Sequence, residues 1–169
     1  GTITQANSLV GTSTGDFVGS ECIAMVRNDH YVVLSTHWAN GAALNAGAAT
    51  WADASKGPVG AVSPTNSLVG TTTNDLVGIG GVTVLSNGNY VIVSDTWDND
   101  GVTDVGAATW ADGGKGISGA VSPSNSLIGA TIGDSIGFTG IVPLRNGNYV
   151  VVSSGWGNGT STGLGAVTW

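Results

Sequence analysis

With 169 residues, 41% of them hydrophobic and only 9% charged, the chain has the length of one folded domain and is too apolar for a disordered tail. Its net charge of −7 includes just four basic residues, Arg27, Lys56, Lys115 and Arg145, which leaves no basic surface for nucleic acid or anionic lipid. No apolar run nears the roughly 20 residues that cross a bilayer, so membrane insertion is not expected.

Gly, Ser, Thr, Asn, Val and Ala dominate, and 29 residues are glycine. This composition suits short strands and tight turns rather than helices. The single cysteine, Cys22, excludes an internal disulfide framework and is expected to be half-buried between apolar neighbours. The acidic, Lys-poor composition and the non-Met start fit an extracellular, cell-surface protein of bacterial type.

The chain opens on Gly1–Gly11, "GTITQANSLVG", which returns as "GAVSPTNSLVG" at 60–70 and "GAVSPSNSLIG" at 119–129. Asn7, Asn66 and Asn125 open the three "NSL" copies at a period of 59 residues. Next comes an "x-D-x-V/I-G" turn with Asp16, Asp75 or Asp134, expected to cap backbone N–H groups. Two β-rich arms follow around Asn87-Gly88 and Asn146-Gly147, a strong hairpin signal, with Asn28-Asp29 as the weaker first version. Each hairpin ends in a polar loop carrying Trp38, Trp97 or Trp156. A small-residue strand then ends at Trp51, Trp110 or Trp169. After a Gly/Lys turn, "GAVS" supplies a fourth strand, and "NSL" is its extension or a further short strand. The repeats are 7–65, 66–124, and 125–169 plus 1–6, in a single domain.

A four-stranded antiparallel meander at a fixed period is the signature of a β-propeller blade, so the fold expected is all-β with three propeller-like blades. Residues 1–6 match 60–65, and so offer the strand missing after Trp169. Thr2, Ile3, Thr4, Gln5 and Ala6 are expected to pair with Gly165, Ala166, Val167, Thr168 and Trp169. Pairing within one chain would close a three-fold body of β-prism or trefoil type. Pairing between chains would cover an exposed edge and build a ring or filament.

The order of "NGNYVV", "GAATW" and "GAVTW" resembles the FG-GAP blades of integrin-alpha-type propellers. It also resembles the tandem units of filamentous-haemagglutinin-like bacterial surface proteins. The resemblance covers the whole chain and implies an adhesive or structural role rather than an activity.

Candidate chemistry is sparse. His30 and His37 are replaced by small residues in the other repeats, so no catalytic residue and no enzymatic activity are expected. Asp98, Asp100 and Asp104 alternate in one loop with a glycine, the only candidate Ca²⁺ site. Trp38, Trp97 and Trp156 recur once per repeat, as tryptophans packed between neighbouring sheets do, but lie in loops with Asn40, Asn99 and Asn158, a pattern that would also suit stacking on sugars; the strand-ending Trp51, Trp110 and Trp169 are expected in the core. Two functions are therefore expected. One is a non-catalytic extracellular structural or adhesive protein that self-associates by β-strand complementation. The other is a multivalent lectin with glycans as partners.

Overall fold

The computed structural model describes residues 1–169 and is all-β, its only helical turn being the three residues Arg27–Asp29. A first short strand, β1 (Leu9–Val10), precedes the first hairpin of β2 (Ile23–Met25) and β3 (Tyr31–Ser35). Then follow β4 (Ala48–Ala52), β5 (Gly60–Ala61) and β6 (Ser67–Val69). The second repeat gives β7 (Val82–Val84), β8 (Tyr90–Ser94), β9 (Ala107–Ala111), β10 (Gly119–Ala120) and β11 (Ser126–Ile128). The third gives β12 (Gly140–Pro143), β13 (Tyr149–Ser153) and β14 (Ala166–Thr168).

Each hairpin starts an antiparallel meander. The orders are β2-β3-β4-β6, β7-β8-β9-β11 and β12-β13-β14, and the sheets form no closed barrel or ring. The fourth strand of each meander is "NSL" and not "GAVS". β6 pairs with β4 through Leu68↔Ala49, and β11 with β9 through Leu127↔Ala108. "GA" leaves the meander and lies parallel to the preceding "NSL" strand, β5 beside β1 and β10 beside β6. Local order along the chain suggested the opposite, because it cannot show that one strand steps aside to bridge two sheets.

The sheets pack face to face. Val32 and Leu34 of β3 meet Tyr90 and Ile92 of β8 in the largest apolar cluster. Val91 and Ala108 on the other side of the second sheet meet Val151 of β13. β8 is consequently buried on both sides, and that is why its residues Tyr90–Ser94 read as a continuous apolar run rather than an alternating one. Burial of the Tyr90 ring pushes its hydroxyl pKa upward, chiefly by desolvation and with help from the nearby Asp112 charge.

The hairpin turns differ from the expected pair of left-handed residues. Only Gly88 (φ 82°) and Gly147 (φ 87°) are left-handed in repeats two and three, while the Asn87 and Asn146 side chains accept the backbone N–H two residues on. In repeat one both Asn28 (φ 56°) and Asp29 (φ 62°) are left-handed, a conformation that costs a non-glycine residue about 1 kcal/mol. Cys22 is exposed rather than half-buried.

The three copies of the aspartate turn are identical in design. Asp75 Oδ2 accepts the N–H groups of Thr71 and Thr72, both at 2.7 Å, and its Oδ1 accepts Asp98 N–H at 3.2 Å. Asp16 does the same with Thr12, Ser13 and Ala39, and Asp134 with Ala130, Thr131 and Gly157. All three are buried, so each carboxylate ties its own turn to the loop just after the hairpin tryptophan. Removing one would strand three backbone donors, each worth about 1–3 kcal/mol when left unpaired. A second periodic bond reinforces the clasp: Ser35, Ser94 and Ser153 Oγ accept Gly19, Gly78 and Gly137 N–H at 3.1 Å.

Asp75 and Asp134 share this geometry but titrate in opposite directions. Desolvation outweighs the hydrogen bonds at Asp75 and raises its pKa. At Asp134 desolvation is outweighed by the Thr131 hydroxyl together with three backbone donors, and the pKa falls. A lowered carboxyl pKa stabilises the fold above the unfolded value near 3.9, and that contribution is lost as pH falls through the folded pKa. A raised one has its contribution fully in place below the unfolded value and loses it as pH rises through the folded pKa. Acidification from pH 7 to 3 should therefore loosen the third clasp while leaving the second intact. Hydrogen-exchange protection should drop at the amides of Ala130, Thr131 and Gly157 and hold at Thr71, Thr72 and Asp98.

Candidate functional site

Two of the three loop tryptophans take the core-packing role open to them, while two of the strand-ending tryptophans, Trp110 and Trp169, stand outside the core. Trp38 and Trp97 are 4% and 3% exposed and pack in the core, and their indole N–H groups find no partner there. Trp156 is half-buried against the third sheet. This burial leaves Trp38 and Trp97 no free ring face for a sugar, which corrects the ligand-binding expectation for those two. Asn40, Asn99 and Asn158 serve the loops themselves. Asn40 Nδ2 donates to Gly70 O, Asn99 bridges to Val102, and Asn158 Oδ1 accepts Thr160 and Ser161 N–H.

The acidic loop of repeat two does not assemble a cation site either. Asp98 Oδ1 accepts Asp104 N–H at 2.8 Å, and no group of three or more His, Cys, Asp or Glu side chains is placed to hold a metal. The loop is closed by its own backbone bonds, with Asp100 and Asp104 at positive φ. The histidines do not converge. His30 Nδ1 accepts Ala54 N–H and its ring tilts against Trp51, whereas His37 bonds Thr36 and meets Phe17 edge-on.

What the structure does bring together is an unpaired end. Residues 2–6 do not pair with Gly165–Trp169. They form the same turn as 61–65, with Asn7 Oδ1 accepting Thr4 N–H and Asn7 Nδ2 donating to Thr2 O, as Asn66 does for Ser63 and Ala61. Within the chain, neither the closed three-fold body nor the expected strand register therefore forms. The physical reason is that the edge of each small-residue strand belongs to "NSL". β14 pairs only with β13, so the edge that β4 and β9 give to "NSL" strands is bare in β14.

The bare edge comes with a bare face. Val167 and Trp169 are 74% and 79% exposed, and Val142 is also exposed. Their counterparts one repeat back, Ala108 and Trp110, face the third sheet or the groove beside it. Thr168 lacks the partner that its counterparts have, since Thr50 bonds Ser67 and Thr109 bonds Ser126, both at 2.7 Å. At the opposite end Phe17, Ile23 and Met25 are exposed. Ser8 already donates to Asn7 Oδ1, as Ser67 donates to Asn66, but it has no threonine.

An open groove of about 490 Å³ lies beside this face. Trp110, Tyr149 and Trp169 line it together with Asn87, Asn89 and Asn148. The sequence signal for both features was available: Trp110 and Trp169 are strand-end residues whose side chains project toward whatever follows. We expected those residues in the core because a tryptophan recurring once per repeat usually staples neighbouring sheets.

No helix of the chain is long and apolar enough to cross a membrane. No curated protein matches the chain. One family does match, over residues 1–20, 25–79, 84–138 and 143–169, in units whose starts at 25, 84 and 143 keep the 59-residue period. The chain belongs to the family described as a repeat of unknown function, DUF5650.

Proposed function

We propose that this chain is a non-catalytic structural or adhesive module of an extracellular surface that self-associates by strand addition. The four-stranded sheets then act as propeller-like blades in an open arc, in keeping with the likeness to FG-GAP and haemagglutinin-like surface repeats. The observation that carries the reading is the strand addition already repeated between sheets inside the chain, β5 along β1 and β10 along β6, together with the exposed apolar Val167 and Trp169. Exposed edges with apolar faces are the surfaces that proteins cover by pairing. The acidic, Lys-poor composition supports the extracellular placement. Sedimentation of the 169-residue chain should show concentration-dependent assembly, and Val167→Lys, a charge on the face of an edge strand, should leave monomer. Assembly of the variant at the same concentration would contradict strand addition at this edge.

A second reading, glycan binding, moves to the groove of Trp110, Tyr149 and Trp169, where ring faces and asparagine side chains meet. On this reading an oligosaccharide quenches or shifts tryptophan emission, and Trp110→Ala removes the response. An unchanged spectrum across neutral and acidic glycans would end it.

A further inference from the structure

After the small-residue strand the chain passes through the same turn twice, Asp53–Gly57 after β4 and Asp112–Gly116 after β9. In both, the aspartate carbonyl accepts the N–H groups of the lysine and glycine that close the turn, and the aspartate carboxylate accepts the N–H two residues on. In both, the residue after the aspartate donates its N–H across to the hairpin tip at 3.0 Å. The acceptor in the second repeat is Asn89 Oδ1, an amide oxygen that does not titrate. In the first repeat it is His30 Nδ1, a nitrogen with a lone pair to offer only while the ring is neutral.

That bond fixes the tautomer. With Nδ1 accepting, the proton of neutral His30 sits on Nε2, and a second proton can enter only at Nδ1. An imidazolium ring has two donors and no acceptor, so Ala54 N–H would then face another N–H. We propose that His30 is a pH-sensitive latch: a proton taken from solvent at Nδ1 releases the Ala54 turn, and the new N–H turns to the Asp53 carboxylate, whose Oδ1 lies 3.8 Å away. The ring is half-buried at the tip, which leaves solvent a route to it.

The surroundings supply the second position of the latch. The Ser55 hydroxyl and N–H hold the Asp53 carboxyl below its ordinary range, so it stays charged wherever imidazole titrates. Lys56 Nζ lies 3.6 Å from the other carboxylate oxygen, and Arg27 and Asp29 lie in the helical turn that leads into His30. Trp51 packs on the imidazole with ring centroids 4.8 Å apart and donates its indole N–H to Gly113 O, in the turn that carries Asp112 and Lys115. In the second repeat, then, this turn holds the neighbouring sheet through a fixed acceptor, whereas in the first it hangs on a titrating one. The third repeat has Asn148 at the place of His30. His37 is not a second latch. Its partner is the Thr36 hydroxyl, which accepts as readily as it donates, so protonation breaks no bond there.

Amide hydrogen exchange of the full chain, corrected for intrinsic exchange at each pH, tests the latch. From pH 8 to pH 5, the range in which imidazole changes charge, protection at Ala54 should fall about tenfold, as the loss of one hydrogen bond implies, while Gly113 holds. His30→Asn gives the first repeat the acceptor of the second and should keep Ala54 protected at both pH values. Nitrogen NMR of the ring should find neutral His30 protonated on Nε2. Protection at Ala54 that ignores pH, or that falls equally in His30→Asn, would overturn the proposal, and so would a neutral ring protonated on Nδ1. A parallel fall at Gly113 would assign the change to general loosening and overturn it as well.

Discussion

Every repeat of this chain is organised around one buried aspartate carboxylate. Asp16, Asp75 and Asp134 each gather three backbone donors, two from their own turn and one from the loop after the hairpin tryptophan. Those donors belong to segments that carry almost no regular structure, and without the carboxylate they would be buried and unpaired. The clasp fixes where the loop leaves the sheet. That position in turn places the loop backbone, residues 44–46 and 103–105, against the aspartate turn of the next repeat. A charge buried once per unit is the means by which one sheet orients the next.

The second consequence is directional. Each sheet presents one set of side chains forward and another backward, as Val91 and Ile92 do from the same strand. The "GA" strands bridge neighbouring sheets in a fixed sense, β5 to β1 and β10 to β6. A stack built this way has two unlike ends, one with Phe17, Ile23 and Met25 and one with Val142, Val167 and Trp169.

Much of this was legible in the sequence, for reasons that can be named. The period, the hairpins at Asn87-Gly88 and Asn146-Gly147, and the capping role of the three aspartates all rest on local chemistry and were read correctly. Strand partnership was not legible. "GAVS" and "NSL" are both short and small-sided, and only the folded chain shows that "NSL" takes the edge of the small-residue strand. For the loop tryptophans the sequence left core packing and sugar contact both open, and the aspartate clasp decides it by drawing a loop such as "DTWDND" inward and burying Trp97. A tryptophan ending an apolar strand looks buried, yet Trp110 and Trp169 project past their own sheet. The candidate cation loop failed because alternating carboxylates are equally good at closing a turn on themselves, as Asp98 does with Asp104.

The account stands or falls on whether the aspartate clasp sets how one sheet meets the next. Hydrogen exchange of the Asp75→Asn variant measures that directly. An amide in place of the carboxylate should cut protection at Thr71, Thr72 and Asp98 and, beyond the turn, at Leu76 and Val77, whose N–H groups donate to Asn45 and Ala46 O. Protection lost only at Thr71, Thr72 and Asp98, with Leu76 and Val77 unchanged, would contradict it.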